Sequence, residues 1–254
     1  MNYITGLGFL GSNLLKSVKA EHIPHELIHT VKLKSFDNFY FLSTYGNFST
    51  HTDENKIIQA NILDLIHILE QIDWEKIHSF IFVSSSSVKR KIHTFYSRCK
   101  WAAEQILMSY KEKYDAPICI VRPLSITGVG DQKEHLIPTL IRSCLNNETM
   151  PFVPDACHDY IDVSDVVEGI LALLKRRAKG VFELGTGKQY SNEAIKNIVE
   201  QITGKKANIN LVTNMRSYDS REWVCTNFRA RQYGWEPRKN IHQIIKEMVE
   251  EYGN

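Results

Sequence analysis

Apolar positions in this 254-residue chain fall into two patterns, short unbroken runs and sets spaced three and four apart. Asn2–Thr5 and Ser79–Val83 are short apolar runs suited to strands buried on both faces of a parallel sheet. Glu26–Val31, Phe39–Leu42, Ile118–Val121 and Gly180–Leu184 read as further strands. Between them, Ile57, Ile58, Ile62, Leu65, Ile66 and Leu69 carry helical spacing and predict a helix over Asp53–Ile72. Helices are also predicted over Phe9–Ala20, Tyr96–Lys113, His135–Leu145, Val163–Leu174 and Ile241–Tyr252, and Ser191 reads as the N-cap of one ending near Gly204. Strands that alternate with helices in this way make a doubly wound α/β protein with a parallel sheet covered on both faces.

Two stretches do not fit a simple alternation. Only Lys32–Asn38 separate the second and third predicted strands, whereas parallel neighbours need a crossover of about a dozen residues. Either a helix has been lost here or these strands are not adjacent. Met150–Asp159 reads as irregular, Met215–Glu222 as a surface loop, and Gly234–Pro237 as a turn before the last helix.

The first strand runs into Gly6, Gly8 and Gly11, spaced G-x-G-x-x-G, and then into a helix. The first glycine allows a tight turn, the second lets a phosphate approach the backbone, and the third lets helix and strand pack closely. Free amides at Phe9 and Leu10 and the positive end of the helix dipole then face an anion.

Bulk composition narrows the remaining classes. Lys plus Arg number 31 against 29 Asp plus Glu, with no long basic run or acidic tail, so nothing points to nucleic acid. Hydrophobic runs are short and broken by charge, which predicts no membrane span. The first residues resemble neither a signal nor a transit peptide. Five cysteines, Cys99, Cys119, Cys144, Cys157 and Cys225, are scattered without a CxxC pair and argue for a reducing compartment and against a structural metal. The expected location is the cytoplasm.

Ser84–Ser87 end a predicted buried strand, at the carboxyl edge where open α/β sheets bind ligands. Tyr96 and Lys100 lie four apart on one face of a predicted helix. A cation beside a tyrosine favours the phenolate and suits the pair to proton transfer. His22, His25 and His29 are spaced like metal ligands, but no carboxylate or thiol set joins them in the sequence, so no metal is expected. Trp74, Trp101 and Trp223 read as packing residues. Cys157 beside His158 does not read as a nucleophile pair, because adjacent residues on an extended segment point apart.

Taken together, these motifs resemble the extended short-chain dehydrogenase/reductase family, in its nucleotide-sugar epimerase/dehydratase branch. Thr5–Ser12 is similar to its opening glycine motif, and Phe36–Ser43 with Asn61 to the strand and helix Asn that follow. Phe82–Val88 is similar to its serine strand, Tyr96, Lys100 and Glu104 to its Y-x-x-x-K-x-x-x-E helix, and Arg122-Pro123 with Gly128 and Gly130 to its R-P-x-x-x-x-G-x-G. Asp159–Val166, Leu184–Gly187 and Tyr233–Pro237 match later signatures. The glycine turn is one residue shorter than the family's, a helix and strand after the second strand are largely missing, and Lys89-Arg90 and His158 replace the family's Tyr-Gly and Arg.

The resemblance implies a Rossmann domain over 1–128 and a mixed segment over 129–254, a small C-terminal substrate lobe with 160–185 returning to the first domain. It implies NAD(P), held by Gly6, Gly8, Phe9, Leu10, Gly11, Asn61, Tyr96 and Lys100. It further implies a nucleotide-sugar substrate bound in part by Ser86, Arg122 and His158, and accommodates a homodimer. Tyr96 transfers the proton, Lys100 holds the cofactor ribose and lowers the Tyr pKa, and Ser85 binds the reacting oxygen. Family dehydratases carry an Asp-Glu pair after the catalytic Ser/Thr, where this chain has Ser86 and Ser87, so 4-keto reduction or 4-epimerisation is expected. The second predicted strand ends without an acid and is followed by Lys32 and Lys34, which slightly favours NADP(H) over NAD(H). The rival reading is a non-catalytic NAD(P) sensor or interaction module.

Overall fold

The computed structural model describes every residue except 49, 91, 92, 213–218 and 254. The strands are β1 (Asn2–Thr5), β2 (Glu21–Ile23), β3 (Asn38–Phe41), β4 (Ser79–Val83), β5 (Ile118–Pro123), β6 (Ser125–Thr127), β7 (Met150–Phe152), β8 (Cys157–His158), β9 (Tyr160–Asp162), β10 (Gly180–Leu184), β11 (Tyr190–Ser191) and β12 (Ile209–Leu211). The helices are α1 (Phe9–Leu15), α2 (Glu54–Ile58), α3 (Asp64–Leu69), α4 (Phe95–Tyr114), α5 (Leu136–Asn146), α6 (Val163–Lys175), α7 (Asn192–Thr203), α8 (Phe228–Gln232) and α9 (Ile241–Tyr252). A π-helical turn, Gln59–Leu63, joins α2 to α3, and 3₁₀ turns occupy His25–Leu27 and Ser86–Lys89. Two compact units result: Met1–Pro123 with Val167–Glu183 and Arg229–Trp235, and Leu124–Val166 with Leu184–Phe228 and Glu236–Asn254.

The first unit is built on a six-stranded sheet in the order β10-β5-β4-β3-β1-β2, parallel from β2 through to β5. Its strands hold together through aromatic cross-strand pairs. Phe39 lies opposite Phe80 and Phe41 opposite Phe82 in the β3–β4 register, with ring centroids 5.4 and 5.9 Å apart. Leu65 and Ile68 of α3 and Ala103 and Leu107 of α4 join the same core, all fully buried. Such pairs add to area burial because offset rings attract through their quadrupoles. β1 has β2 on one side and β3 on the other, so the strand order reverses at β1, where doubly wound sheets bind their ligands.

The second strand differs from expectation. It forms at Glu21–Ile23, and Pro24 ends it, because proline has no N–H to offer a neighbour. The apolar residues of 26–31 form a 3₁₀ turn and the connection after it, where Ile28 is buried in the core but Leu27 is exposed. β2 and β3 are therefore not neighbours; they flank β1, both parallel to it, and residues 24–37 supply the crossover between them. α1 stops at Leu15 rather than Ala20, because the chain must turn back to enter β2 at once. The stretch 150–159 holds two short strands, β7 and β8, and α8 is an element that no apolar periodicity signalled. Of the expected loop Met215–Glu222, residues 215–218 lie outside the described residues.

The second unit packs α5, α7 and α9 around Ile137, Leu140, Ile141, Ile195, Val199, Ile244 and Ile245. As expected, Ser191 caps α7 by accepting from Ala194 N–H, and Gly204 closes it in the left-handed conformation. Three two-stranded pairs complete it, β6–β9 and β7–β12 parallel and β8–β11 antiparallel.

Candidate active site

At the end of β1 the glycine turn leaves no room for side chains at two of its three positions. Gly6 has φ +77°, and a Cβ there would stand 2.5 Å from the Leu42 carbonyl carbon and the Ser43 nitrogen. A Cβ on Gly11 would stand 1.9 Å from the Gly6 carbonyl oxygen. Gly8 is different: its φ is −72° and a Cβ would meet nothing within 4 Å. Ser12 N–H bonds to the Gly8 carbonyl at 2.9 Å, so the amides of Phe9, Leu10 and Gly11 precede the first bonded turn of α1. Close packing on one flank and open backbone on the other fit a dinucleotide pyrophosphate.

β4 ends at Val83, and Ser85 caps the following 3₁₀ turn by accepting from Ser87 N–H at 3.1 Å. Its Oγ also meets Ser87 Oγ at 2.8 Å. On α4, capped by Thr94, Tyr96 stands beside both Ser85 and Thr44. Burial pushes the Tyr96 phenol up from its ordinary value, and this outweighs the effect of those two hydroxyls. One turn further on, Lys100 is only 1 % exposed and donates to the Val83 carbonyl at 3.0 Å. Its ammonium lies 4.9 Å from the centre of the Phe82 ring. Burial lowers its pKa to about 7, against the opposing pull of Glu104. The expectation that Lys100 lowers the tyrosine pKa is thus not met in this arrangement, since its ammonium is directed at Val83.

Glu104, also 1 % exposed, accepts from Ser84 Oγ at 2.5 Å and from Arg122 Nε at 2.8 Å, and Arg122 Nη2 meets its second oxygen. Arg122, expected at the substrate, is thereby committed to an internal ion pair. Ser86, also expected there, is buried, and it is Ser87 whose hydroxyl meets Ser85. Asn61 sits in the π-helical turn, fully buried, giving its two amide protons to the carbonyls of Tyr45 and Ile57 at 2.7 and 2.8 Å. Its Oδ1 accepts from Thr44 Oγ1 at 2.9 Å.

Lys32 does not follow β2. It lies in the connection to β3, next to Leu33, whose N–H bonds to Gln71 just beyond α3. In the second unit, His158 bonds through Nδ1 to Ser125 Oγ at 3.0 Å and stacks on Trp223. Trp74 packs on Phe80 and Tyr110, whereas Trp101 is exposed. Burial raises the Cys157 thiol, which removes it further from nucleophilic use. A carboxylate does join two of the histidines: fully buried Asp64 holds His25 Nδ1 and His29 Nε2, each at 2.8 Å. Among the described residues no group of three or more His, Cys, Asp or Glu could hold a metal ion.

Thr44 is a residue that the sequence does not single out. Ser87 lies in the serine run that marked the site, but nothing in spacing ties a threonine beyond β3 to a tyrosine on α4.

Comparison with known proteins agrees with this geometry. The family model described as NAD dependent epimerase/dehydratase family matches residues 39–185, more than half of the chain. A low-salt glycan biosynthesis protein of Haloferax volcanii, Agl12, is 29% identical over 161 residues, 62% of this chain and 52% of that protein. A trifunctional UDP-glucose 4,6-dehydratase, 3,5-epimerase and UDP-4-keto-L-rhamnose-reductase of Arabidopsis thaliana is 24% identical over 250 residues, 96% of this chain and 37% of that protein. The chain thus spans about half the length, or less, of these curated relatives. The solved structure of MoeE5 in complex with UDP-glucose and NAD superposes with a TM-score of 0.89 at 20% identity, over 99% of this chain and 98% of that one, a likeness of fold. The matched residues take in the serine strand, Tyr96 and Lys100, and the chain belongs to the NAD dependent epimerase/dehydratase family.

Proposed function

We propose that this chain is an NAD(P)-dependent oxidoreductase acting on a nucleotide-activated sugar, by 4-keto reduction or 4-epimerisation. The observation that carries the reading is the placing of Tyr96 beside Ser85, with Lys100 one turn further along α4. In this reading, Gly6, Gly8 and the amides of Phe9, Leu10 and Gly11 hold the pyrophosphate, and Lys100 serves the nicotinamide ribose. Bound there, the dinucleotide supplies or accepts a hydride at the sugar carbon. Tyr96 gives or takes the proton at its Oη, and Ser85 hydrogen-bonds the reacting oxygen. The polar residues after Ser85 are Ser86 and Ser87 rather than acids, which favours these reactions over dehydration. Relatives named as nucleotide-sugar dehydratases, epimerases and reductases support catalysis over a sensor of the same fold.

β2 closes on Ile23 rather than on an acid, which keeps NADP(H) slightly favoured over NAD(H). The part first given to Lys32 and Lys34 falls away with the strand that placed them. Arg122 acts through Glu104, which bonds Ser84 next to Ser85.

The test is Tyr96→Phe. General acid–base help is worth about 10²–10⁴-fold, so turnover with NAD(P)H and a 4-keto nucleotide sugar should fall by that much while cofactor binding survives. Activity within about threefold of wild type would remove Tyr96 from the chemistry.

A further inference from the structure

Four serines in a row follow β4, and their protons are not interchangeable. Ser84 is buried; its N–H bonds to the Val121 carbonyl at 2.8 Å, and its hydroxyl lies 2.5 Å from Glu104 Oε1. A carboxylate paired with Arg122 only accepts, so the Ser84 proton is spent there. Ser86 is buried as well. Ser85 and Ser87 are half-buried, with their hydroxyl oxygens 2.8 Å apart, and Ser87 N–H donates to the same Ser85 Oγ at 3.1 Å.

A hydroxyl oxygen has one proton and two lone pairs. The backbone N–H of Ser87 takes one lone pair of Ser85. The contact between the two hydroxyls is closed by one proton, from either side. If Ser85 gives it, Ser85 is left with a bare lone pair, which repels the oxygen of a ketone. If Ser87 gives it, both lone pairs of Ser85 are filled and its own proton is free to point at that oxygen. A ketone oxygen only accepts, so with a ketone at Ser85 only the second arrangement leaves no lone pair facing another. Ser85 also draws the Tyr96 phenol down, the effect of a hydroxyl that donates rather than accepts.

We propose that Ser87 is a positioning residue: its hydroxyl donates to Ser85 and thereby commits the Ser85 proton to the reacting oxygen. This rests on the reading of Ser85 as the residue that bonds that oxygen. In ketone reduction the carbonyl carbon gains a hydride, the oxygen gains the Tyr96 proton, and the dinucleotide is oxidised by two electrons. Ser85 and Ser87 keep their protons throughout. What changes is the charge on the oxygen. As it grows, a chain of donors from Ser87 through Ser85 strengthens with it, because each bond polarises the next. The gain is made in the transition state and not in the bound ketone. The turn that carries both serines is well braced. Val88 N–H bonds to the Ser85 carbonyl at 3.3 Å, Arg90 N–H to the Ser87 carbonyl at 3.2 Å, and Lys89 pairs with Glu183 at 2.7 Å.

The experiment measures NADPH oxidation with a UDP-4-keto-6-deoxyhexose as probe substrate. Ser87→Ala should lower kcat about three- to tenfold, the worth of one hydrogen bond, and leave KM unchanged. Ser87→Thr, which keeps the hydroxyl, should restore the rate. Were Ser85 the donor, Ser87→Ala would release its proton and kcat would rise, so an unchanged or higher kcat overturns the proposal. Because Ser87 acts through Ser85, its loss should add nothing once Ser85 is gone: Ser85→Ala and Ser85→Ala/Ser87→Ala should be equally slow. Two losses that simply multiply overturn the proposal too. Should Ser87→Ala misfold, Ser87→Cys, close in shape and a weak donor, is read in the same way. A wild type inactive on the probe, or retained turnover in Tyr96→Phe, would sink the catalytic reading. An unmoved kcat in Ser87→Ala would sink only the role of Ser87.

Discussion

Lys100 gives its Nζ proton to the Val83 carbonyl at 3.0 Å, tying the middle of α4 to the end of β4. The ammonium is nearly inaccessible, and its pKa has dropped to about 7. A dinucleotide brings negative phosphates, which favour the charged lysine and raise that value again. Binding at pH 8, where the empty site holds mostly neutral amine, should therefore take up close to one proton. Above pH 7 affinity should weaken as pH rises, by up to about tenfold per unit, because protonation must accompany binding. Calorimetry of cofactor binding in two buffers of different ionisation enthalpy measures the uptake. Proton release, or no exchange, would separate Lys100 from the cofactor.

Gly8 and Gly11 should fail in different ways. A side chain at Gly8 has space and an ordinary φ, so Gly8→Val should fold with unchanged Tm and lose cofactor affinity. Gly11→Ala drives a methyl into the Gly6 carbonyl and should lower stability itself. Thermal unfolding and fluorescence titration of both variants separate the cases. Unchanged affinity in Gly8→Val would make the turn structural only.

Glu104 neutralises Arg122 inside the fold. Glu104→Ala leaves the guanidinium half-buried without its partner, and breaking a buried pair from one side costs about 3–5 kcal/mol. Urea unfolding should show that loss. A change below about 1 kcal/mol would mean the pair is screened as surface pairs are.

Lys32 and Lys34 should not affect the choice of cofactor. Their connection is anchored to Gln71, beyond the end of α3, and not to the end of β2. The ratio of NADPH to NADH dissociation constants should be the same in wild type and in Lys32→Ala/Lys34→Ala at low salt. A shift of threefold or more would return these lysines to the ribose.

What the sequence determined by itself is whatever depends on near neighbours along the chain. Helical spacing placed α9 from Ile241 to Tyr252, Ser191 and Gly204 set both ends of α7, and the apolar run SFIFV made β4. The four-residue interval between Tyr96 and Lys100 set them on one helix face, and the serine run Ser84–Ser87 was marked by the end of its strand. Long-range contacts decided the rest. Glu26–Val31 has a strand's composition, yet Pro24 ended the strand before it, and the core drew Ile28 into a turn. Asp64 reached His25 and His29 across more than thirty residues of sequence, which no spacing of histidines could announce. Thr44 came beside Tyr96 only because β3 and β4 pair, which brings together the residues that follow the two strands. Local propensity fixes the elements because a turn or a strand is decided within a few residues. A hydrogen bond between distant residues exists only after packing has chosen which elements are neighbours.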